Sequence, residues 1–381
     1  MSFFSFSKKN KESFSLVFNI SSGSVSGAII RFTEKAGVKI EYYIKEKISF
    51  QEELSIPRHV DLMSEALGIL VEKIRVAGTK KIMPAKGSLF LIDRVFYIFS
   101  SPWCVSKTRT IRINEVKEFK VTEQYINKII DEQEKLFRAE ISESGQVVEK
   151  KIIQIKTNGY VVNDINDCLT KNLEISILFT IVPENILQVI ESVVTKTFNS
   201  KNIWCHSLSL SLFSVIRNLF SQYENFIHLD ITEEITDLNI INDNIITDSI
   251  SIPFGRNHFI RELSMNLKIT EEIADSMIRM QVTKSGDELG VLNLAVAMDT
   301  ASQTWLTKIS EALNDLKLRM FLPETMFLII SNDLGIFLRN KLVKQDFKVI
   351  LVNNMQIDST QVKEDTILKL ELMFLDNLYK I

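Results

Sequence analysis

The sequence predicts an α/β protein of two similar lobes, with an α+β segment inserted into the first. Three observations carry this reading. An apolar strand, a polar turn and a second apolar strand occur twice, the turn following Asn19 in one copy and Asp230 in the other. Helical stripes and further strands follow each copy. Between the copies lies a block of roughly 110 residues that alternates strand and helix on its own, within the usual size of a domain.

Composition sets the outer limits. At 381 residues the chain is long enough for two or more domain-sized cores, and 45% hydrophobic with 24% charged residues is the profile of a folded globular protein. A net charge of −3 gives no overall basic field, which argues against nucleic acid as a partner. Cys104, Cys168 and Cys205 lie far apart with no CxxC spacing, so neither a zinc site nor a disulfide framework is expected, and a reducing cytosol fits. No apolar run reaches the roughly 18 to 20 residues that span a bilayer.

Residues 1–12 are expected to be a flexible segment. Phe3, Phe4 and Phe6 stand beside Lys8, Lys9 and Lys11, a run too short for a secretory leader. Two readings stay open: contact with an anionic membrane surface or a partner, or a frayed terminus. Residues 13–86 form the first part of the first lobe. SFSLVFNISSGSVSGAIIRF reads as strand, turn, strand, and residues 38–43 extend it. After Pro57, Leu62, Leu67, Leu70, Val71 and Ile74 make a helical stripe that ends at Gly78.

The inserted segment is expected over residues 87–198. It holds the strand SLFLIDRVFYIFS, a helix capped by Thr122 with Ile126, Ile129 and Ile130 inward, the strands KKIIQIKTNGYVV and LEISILFTIV, and a helix after Pro183. Residues 199–225 return to the first lobe. The second lobe is expected over 226–381, with a helical part at about 262–320 that includes a helix start at Thr270 and closes at Pro323. Strands return at 326–330 and 348–352. The last stretch, EDTILKLELMFLDNLYKI, reads equally as a strand or an amphipathic helix.

The second hairpin holds the sharpest contradiction. A turn that cradles a phosphate needs glycines, because backbone N–H groups must close on the anion without Cβ atoms or negative charge in the way. This turn offers Thr232, Glu233, Glu234 and Ile235. Two carboxylates at that point repel a triphosphate. Taken alone, Glu233 and Glu234 read as a solvated turn.

At these residues the chain resembles the FtsA and PilM family of bacterial actin-like proteins, within the actin and Hsp70 ATPase superfamily of ribonuclease H-like folds. NISSGSVSGAII is similar to that family's DIGSSSIKAV loop, LDITEEITDLNI to its DIGGGTTDI loop, and SISIPFGRNHFIREL to the segment that follows. The resemblance implies a two-lobed actin-like fold whose inserted block is an interaction domain. It also implies a vestigial nucleotide cleft of Asn19, Ser22, Gly23, Ser24, Asp230, Thr236, Asp237 and Gly335. The family's magnesium-holding Asp is here Asn19, its loop Lys falls near Ser26, and its three glycines fall on Thr232, Glu233 and Glu234. Of its Gly-rich adenosine loop only Gly335 remains, in FLIISNDLGIFL.

What the resemblance implies for function is a cytoplasmic scaffold, peripheral at the inner face of the membrane, in type IV pilus or secretion assembly or in cell division. Its partners are then a membrane protein's cytoplasmic peptide, a cytoskeletal polymer or further copies of the chain. A degenerate ATPase is expected more than an active one, with no catalytic residue and no resident metal assigned. The alternative is an ATP-binding switch or filament-forming ATPase in which Asp230 and Asp237 position Mg²⁺ and Glu233 or Glu234 orients water. Asp230 and Asp237 read equally well as strand ends that bond the turn.

Other candidates are weaker. Cys205 and His206 are adjacent on one element and face opposite sides, so they do not make a nucleophile and base. His228 falls in a buried strand and His258 in an expected loop, neither at metal-ligand spacing. Trp103 has two readings, a contact anchor at an exposed turn and a cap on the core.

Overall fold

The computed structural model describes residues 14–33, 37–49, 55–82, 92–140, 145–162, 168–198, 200, 202–281, 288–330, 332–345, 347–352 and 365–379. The Phe and Lys residues of the N-terminal segment lie outside the described residues. The chain opens with an antiparallel meander, β1 (Phe14–Ile20), β2 (Ser24–Thr33) and β3 (Gly37–Lys47). α1 (Ile56–Lys73) begins where Ser55 Oγ accepts from the Arg58 N–H and Pro57 occupies the first turn; it buries Met63, Leu67 and Leu70 on the sheet. A π turn (Ile74–Gly78) and α2 (Thr79–Ile82) follow.

β4 (Ile92–Phe99) then pairs parallel with β1. The sequence reading begins the inserted segment before this strand, and the structure moves the strand out of it. Val95, Phe96, Tyr97, Ile98 and Phe99 are all buried, and only the interior of a sheet covered on both faces accommodates such a run. β5 (Val105–Val121), α3 (Glu123–Glu140), β6 (Gly145–Thr157), β7 (Tyr160–Val161) and β8 (Cys168–Pro183) build a separate unit with sheet order β5-β8-β6-β7. Thr122 caps α3 as expected, accepting from the Tyr125 N–H, and Ile126, Ile129 and Phe137 pack on Ile175, Ile177 and Phe179.

α4 (Glu184–Phe198) also leaves the inserted segment: Ile186, Ile190 and Val194 join the α1 side of the first lobe. β9 (Ile203–Ser207) pairs parallel with β4, and Ser207 caps α5 (Leu208–Leu219). The second lobe repeats the plan. β10 (Phe226–Ile231), β11 (Thr236–Asn242) and β12 (Ile245–Ile252) form a meander, with Asp243 and Asn244 at positive φ in its tight second turn. α6 (Arg256–Leu267), α7 (Glu271–Gln281) and α8 (Glu288–Lys317) lead to β13 (Thr325–Ile329), α9 (Asn332–Val343), β14 (Lys348–Leu351) and α10 (Thr366–Tyr379).

The sheets have the orders β3-β2-β1-β4-β9 and β12-β11-β10-β13-β14, the same topology twice. α1 and α4 cover one face of the first sheet, and α6 to α9 cover one face of the second. Between the two sheets lie α5 and α10, in a single core that takes Val17 and Phe96 from one lobe and Phe226 and Phe327 from the other. The C-terminal stretch is therefore a helix, and its Leu368, Leu372 and Leu375 are buried in that core rather than free to meet a membrane. Among the described residues no helix is long and apolar enough to cross a bilayer.

Candidate functional site

Strand register lays equivalent rows of side chains on the two sheets. Asn19, Ser26 and Lys45 stand side by side on β1, β2 and β3; Asp230, Asp237 and Ser251 do so on β10, β11 and β12. Beyond each row the chain turns. The Ser21 N–H donates to Ser24 O at 2.9 Å in the first turn, and the Thr232 N–H to Ile235 O at 2.9 Å in the second.

The two turns dock on each other. Ser22 Oγ lies 2.9 Å from Thr232 Oγ1 and accepts the Glu234 N–H at 2.9 Å. A Cβ on Gly23 would sit 2.6 Å from Glu233 Cβ, so this approach requires glycine. Here the structure corrects the reading of a solvated turn. The Glu233 side chain, 17% exposed, crosses to the first lobe, where its carboxylate accepts the Ser21 hydroxyl at 2.8 Å, the Ser24 hydroxyl at 2.7 Å and the Lys45 ammonium at 2.7 Å. Glu234 stays in its own lobe, accepting from Asn257 Nδ2 at 2.7 Å and Arg261 Nη2 at 2.8 Å. The start of α6 holds the turn from behind: the Asn257 N–H donates to Glu233 O at 2.7 Å and the Arg256 N–H to Thr232 O at 2.9 Å.

Charge follows geometry. Burial by itself would raise the Glu233 carboxyl, but the Lys45 charge and the hydrogen bonds from Lys45, Ser24 and Ser21 hold it at about 2, against an ordinary 4.5. For Lys45, burial would lower the ammonium and the Glu233 carboxylate outweighs it, so its pKa is raised. The resemblance leaves the phosphate counter-charge missing at Ser26. Lys45 is the cross-strand neighbour of Ser26 and places a positive charge one strand over, paired with Glu233. Sequence reasoning missed it because the pairing of 26 with 45 is visible only once the β2–β3 register is known.

The first turn is braced by residues from elsewhere. Trp103, 3% exposed, donates its Nε1–H to Ser21 O at 2.7 Å, and His59 Nε2 lies 3.0 Å from Ser22 O. Trp103 is thus a cap on the core. Asn19 Nδ2 donates to Glu371 Oε1 of α10. Glu371 is fully buried, its Oε2 has no hydrogen-bond partner, and burial followed by the Asp365 charge pushes its carboxyl well above the ordinary range. The Tyr43 hydroxyl donates to Asp365 Oδ2 at 2.6 Å. Asn19, Ser26, Lys45, Glu233, Asp365 and Glu371 line a cavity of about 20 Å³, room for one water.

Asp230 and Asp237 oppose each other across β10 and β11. Burial, then the charge of Asp237, drives the Asp230 carboxyl well above its usual value, and Asp230 Oδ2 has no partner. Burial raises Asp237 to about 6 in spite of hydrogen bonds from Ser251 and Ser101. His228, fully buried 3.5 Å from Asp230, is held down at about 3 by burial and is neutral. One residue of the expected cleft points elsewhere. Thr236 faces the second lobe's core, donating to Phe254 O at 2.6 Å and accepting from Trp305 Nε1 at 3.1 Å. Gly335 lies in α9, where a Cβ would be 3.0 Å from Leu351 Cδ1. Asn19, Ser22, Gly23, Ser24, Asp230 and Asp237 remain at the junction of the lobes.

A nucleoside triphosphate with Mg²⁺, the ligand this fold implies, does not fit the arrangement. Glu233 engages the donors that would meet a phosphate, Asn19 is engaged by Glu371, and no group of three or more His, Cys, Asp or Glu side chains is placed to hold a metal among the described residues. His206 does not pair with Cys205. Its Nδ1 lies 2.6 Å from Glu149 Oε1 and its Nε2 3.1 Å from the Tyr379 hydroxyl, which ties the inserted sheet, β9 and α10 together. His258, expected in a loop, is buried in α6.

No protein-family model and no curated protein sequence matches the chain. Solved structures do. The PilM–PilN type IV pilus biogenesis complex matches at 9% identity over 96% of this chain and 98% of that one, with a TM-score of 0.64. MreB 5 of Spiroplasma citri bound to AMPPNP matches at 10% identity over 96% and 97%, with a TM-score of 0.45. Together with the duplicated sheets, the first of these shows that the chain has the actin-like fold.

Proposed function

We propose that this chain is an actin-fold scaffold of a membrane-associated assembly, cytoplasmic and peripheral at the inner face of the membrane, that does not hydrolyse ATP efficiently. The observation that supports this most is the Glu233 carboxylate gripped by Ser21, Ser24 and Lys45. A nucleotide switch works because its ligand prefers one lobe arrangement and then leaves. A closing group that belongs to the chain does not leave on hydrolysis.

The likeness to the PilM–PilN complex supports type IV pilus or secretion assembly ahead of cell division, with a membrane protein's cytoplasmic peptide as the partner. The inserted sheet is the expected docking unit, and its exposed Tyr160, Val161 and Leu169 offer apolar contact. The second reading, an ATP-dependent switch or filament-forming ATPase, keeps one observation on its side: Asp230 and Asp237 remain paired in register at the cleft. Isothermal titration of the natural protein with a nonhydrolysable ATP analogue and Mg²⁺ separates the two. Absence of binding supports the scaffold; micromolar binding overturns it and makes hydrolysis the next assay.

A further inference from the structure

The misfit between the nucleotide and the cleft has a specific chemical content. Ser21 and Ser24 hydroxyls and the Lys45 ammonium converge on one pair of oxygens at 2.7–2.8 Å, the short distances of charge-assisted bonds. Lys45 is half-exposed on β3, whereas Ser21 is 5% and Ser24 2% exposed, so the two hydroxyls are formed inside the protein. The backbone on which they sit is fixed independently, by Trp103 and His59 on the Ser21 and Ser22 carbonyls. The turn that carries the two hydroxyls is therefore held without Glu233.

We propose that Glu233 is an intramolecular ligand of a built oxyanion site, and that the site accepts a free small oxyanion of the carboxylate or phosphate class when that side chain is removed. The proposal rests on the closed, nucleotide-free reading of the cleft. It identifies what the first lobe's loop retains: recognition of a negatively charged planar or tetrahedral oxygen group, satisfied from within the chain. The same contact closes the lobes, since the ligand comes from β10–β11 and the donors from the β1–β3 meander. Gly23, whose missing Cβ leaves room for Glu233, and Gly255, where a Cβ would strike Glu233 O at 2.5 Å, are glycines that admit this ligand.

The test is chemical rescue of Glu233→Gly. Thermal midpoints are measured in sodium formate, acetate or phosphate against sodium chloride at matched ionic strength, for the natural protein, the variant and the variant also carrying Lys45→Met. At an anion concentration some tenfold above its dissociation constant, mass action predicts a rise of about 2 °C in the single variant. The natural protein is expected to show no rise beyond chloride, and the double variant to lose most of it. Rescue by formate or acetate alone upholds a carboxylate-shaped site, and rescue by phosphate as well upholds a general oxyanion site. No rescue by any of the three, or equal rescue without Lys45, overturns the proposal.

Should the glycine variant not fold, amine acylation of the natural protein decides. Lys45 is expected to react about tenfold more slowly than lysines of similar exposure, because its ammonium is bonded to Glu233 and its pKa is raised; reaction at the common rate overturns the proposal. ATP binding by the natural protein would instead overturn the scaffold reading, so the two failures are distinguishable.

Discussion

Replacing Glu233 by Gln removes the charge of the inter-lobe contact while keeping its shape, and the size of the effect follows from the site. A carboxyl held at about 2 in the fold and at 4.5 in the ordinary state differs by about 2.5 pH units, which corresponds to about 3 kcal/mol of stability at neutral pH. At 17% exposure the side chain is only weakly screened. Because the folded pKa is depressed, this contribution is present above pH 4.5 and is lost as pH falls through about 2. Urea denaturation followed by circular dichroism should place Glu233→Gln about 3 kcal/mol below the natural protein at pH 7. The gap should shrink to roughly half near pH 3 as the natural carboxylate takes up its proton. A gap near zero at pH 7, or one of equal size at both pH values, would refute the reasoning.

Other positions give further outcomes. Ser22→Ala leaves the Glu234 N–H without its acceptor inside the junction and should cost about 1–3 kcal/mol in the same denaturation assay. Gly23→Ala should destabilise the natural protein by about 1–3 kcal/mol, because the new Cβ falls 2.6 Å from Glu233 Cβ, and much less in a Glu233→Gly background; a double-mutant cycle reads the coupling. Asp237 behaves oppositely to Glu233. Its carboxyl is raised from 3.8 to about 6, so its contribution is present below 3.8 and lost as pH rises through 6; Asp237→Asn should flatten the fall in stability between pH 4 and 6, measured by urea midpoint against pH.

How far the sequence reveals this arrangement depends on the range of the contacts involved. The hairpins were legible because alternation and turn residues are local, and so were helix starts such as Thr122 and Thr270, whose hydroxyls accept from the N–H groups three residues on. The place of β4 was not. A strand apolar on both faces shows that it is buried without showing in which sheet.

The site was legible where resemblance coincides with side-chain direction. Asp230 and Asp237 face the cleft, but Thr236, one residue before Asp237, points to the opposite face of β11, as strand alternation requires. Glu233 reads as solvated because a carboxylate in a turn usually is; its donors are Ser21, Ser24 and Lys45, about two hundred residues earlier in the chain. The partner of Asn19 is Glu371, 352 residues away, and no local pattern couples them.

The central claim is that the lobes are closed by the chain itself and not by a nucleotide. Pulsed electron–electron resonance between spin labels carried on unnatural residues at Glu65 in α1 and Met265 in α6 tests it directly. The account predicts a single narrow distance that ATP with Mg²⁺ leaves unchanged and that broadens or lengthens in Glu233→Gly. A broad or long distance in the natural protein that narrows on addition of ATP with Mg²⁺ would contradict it.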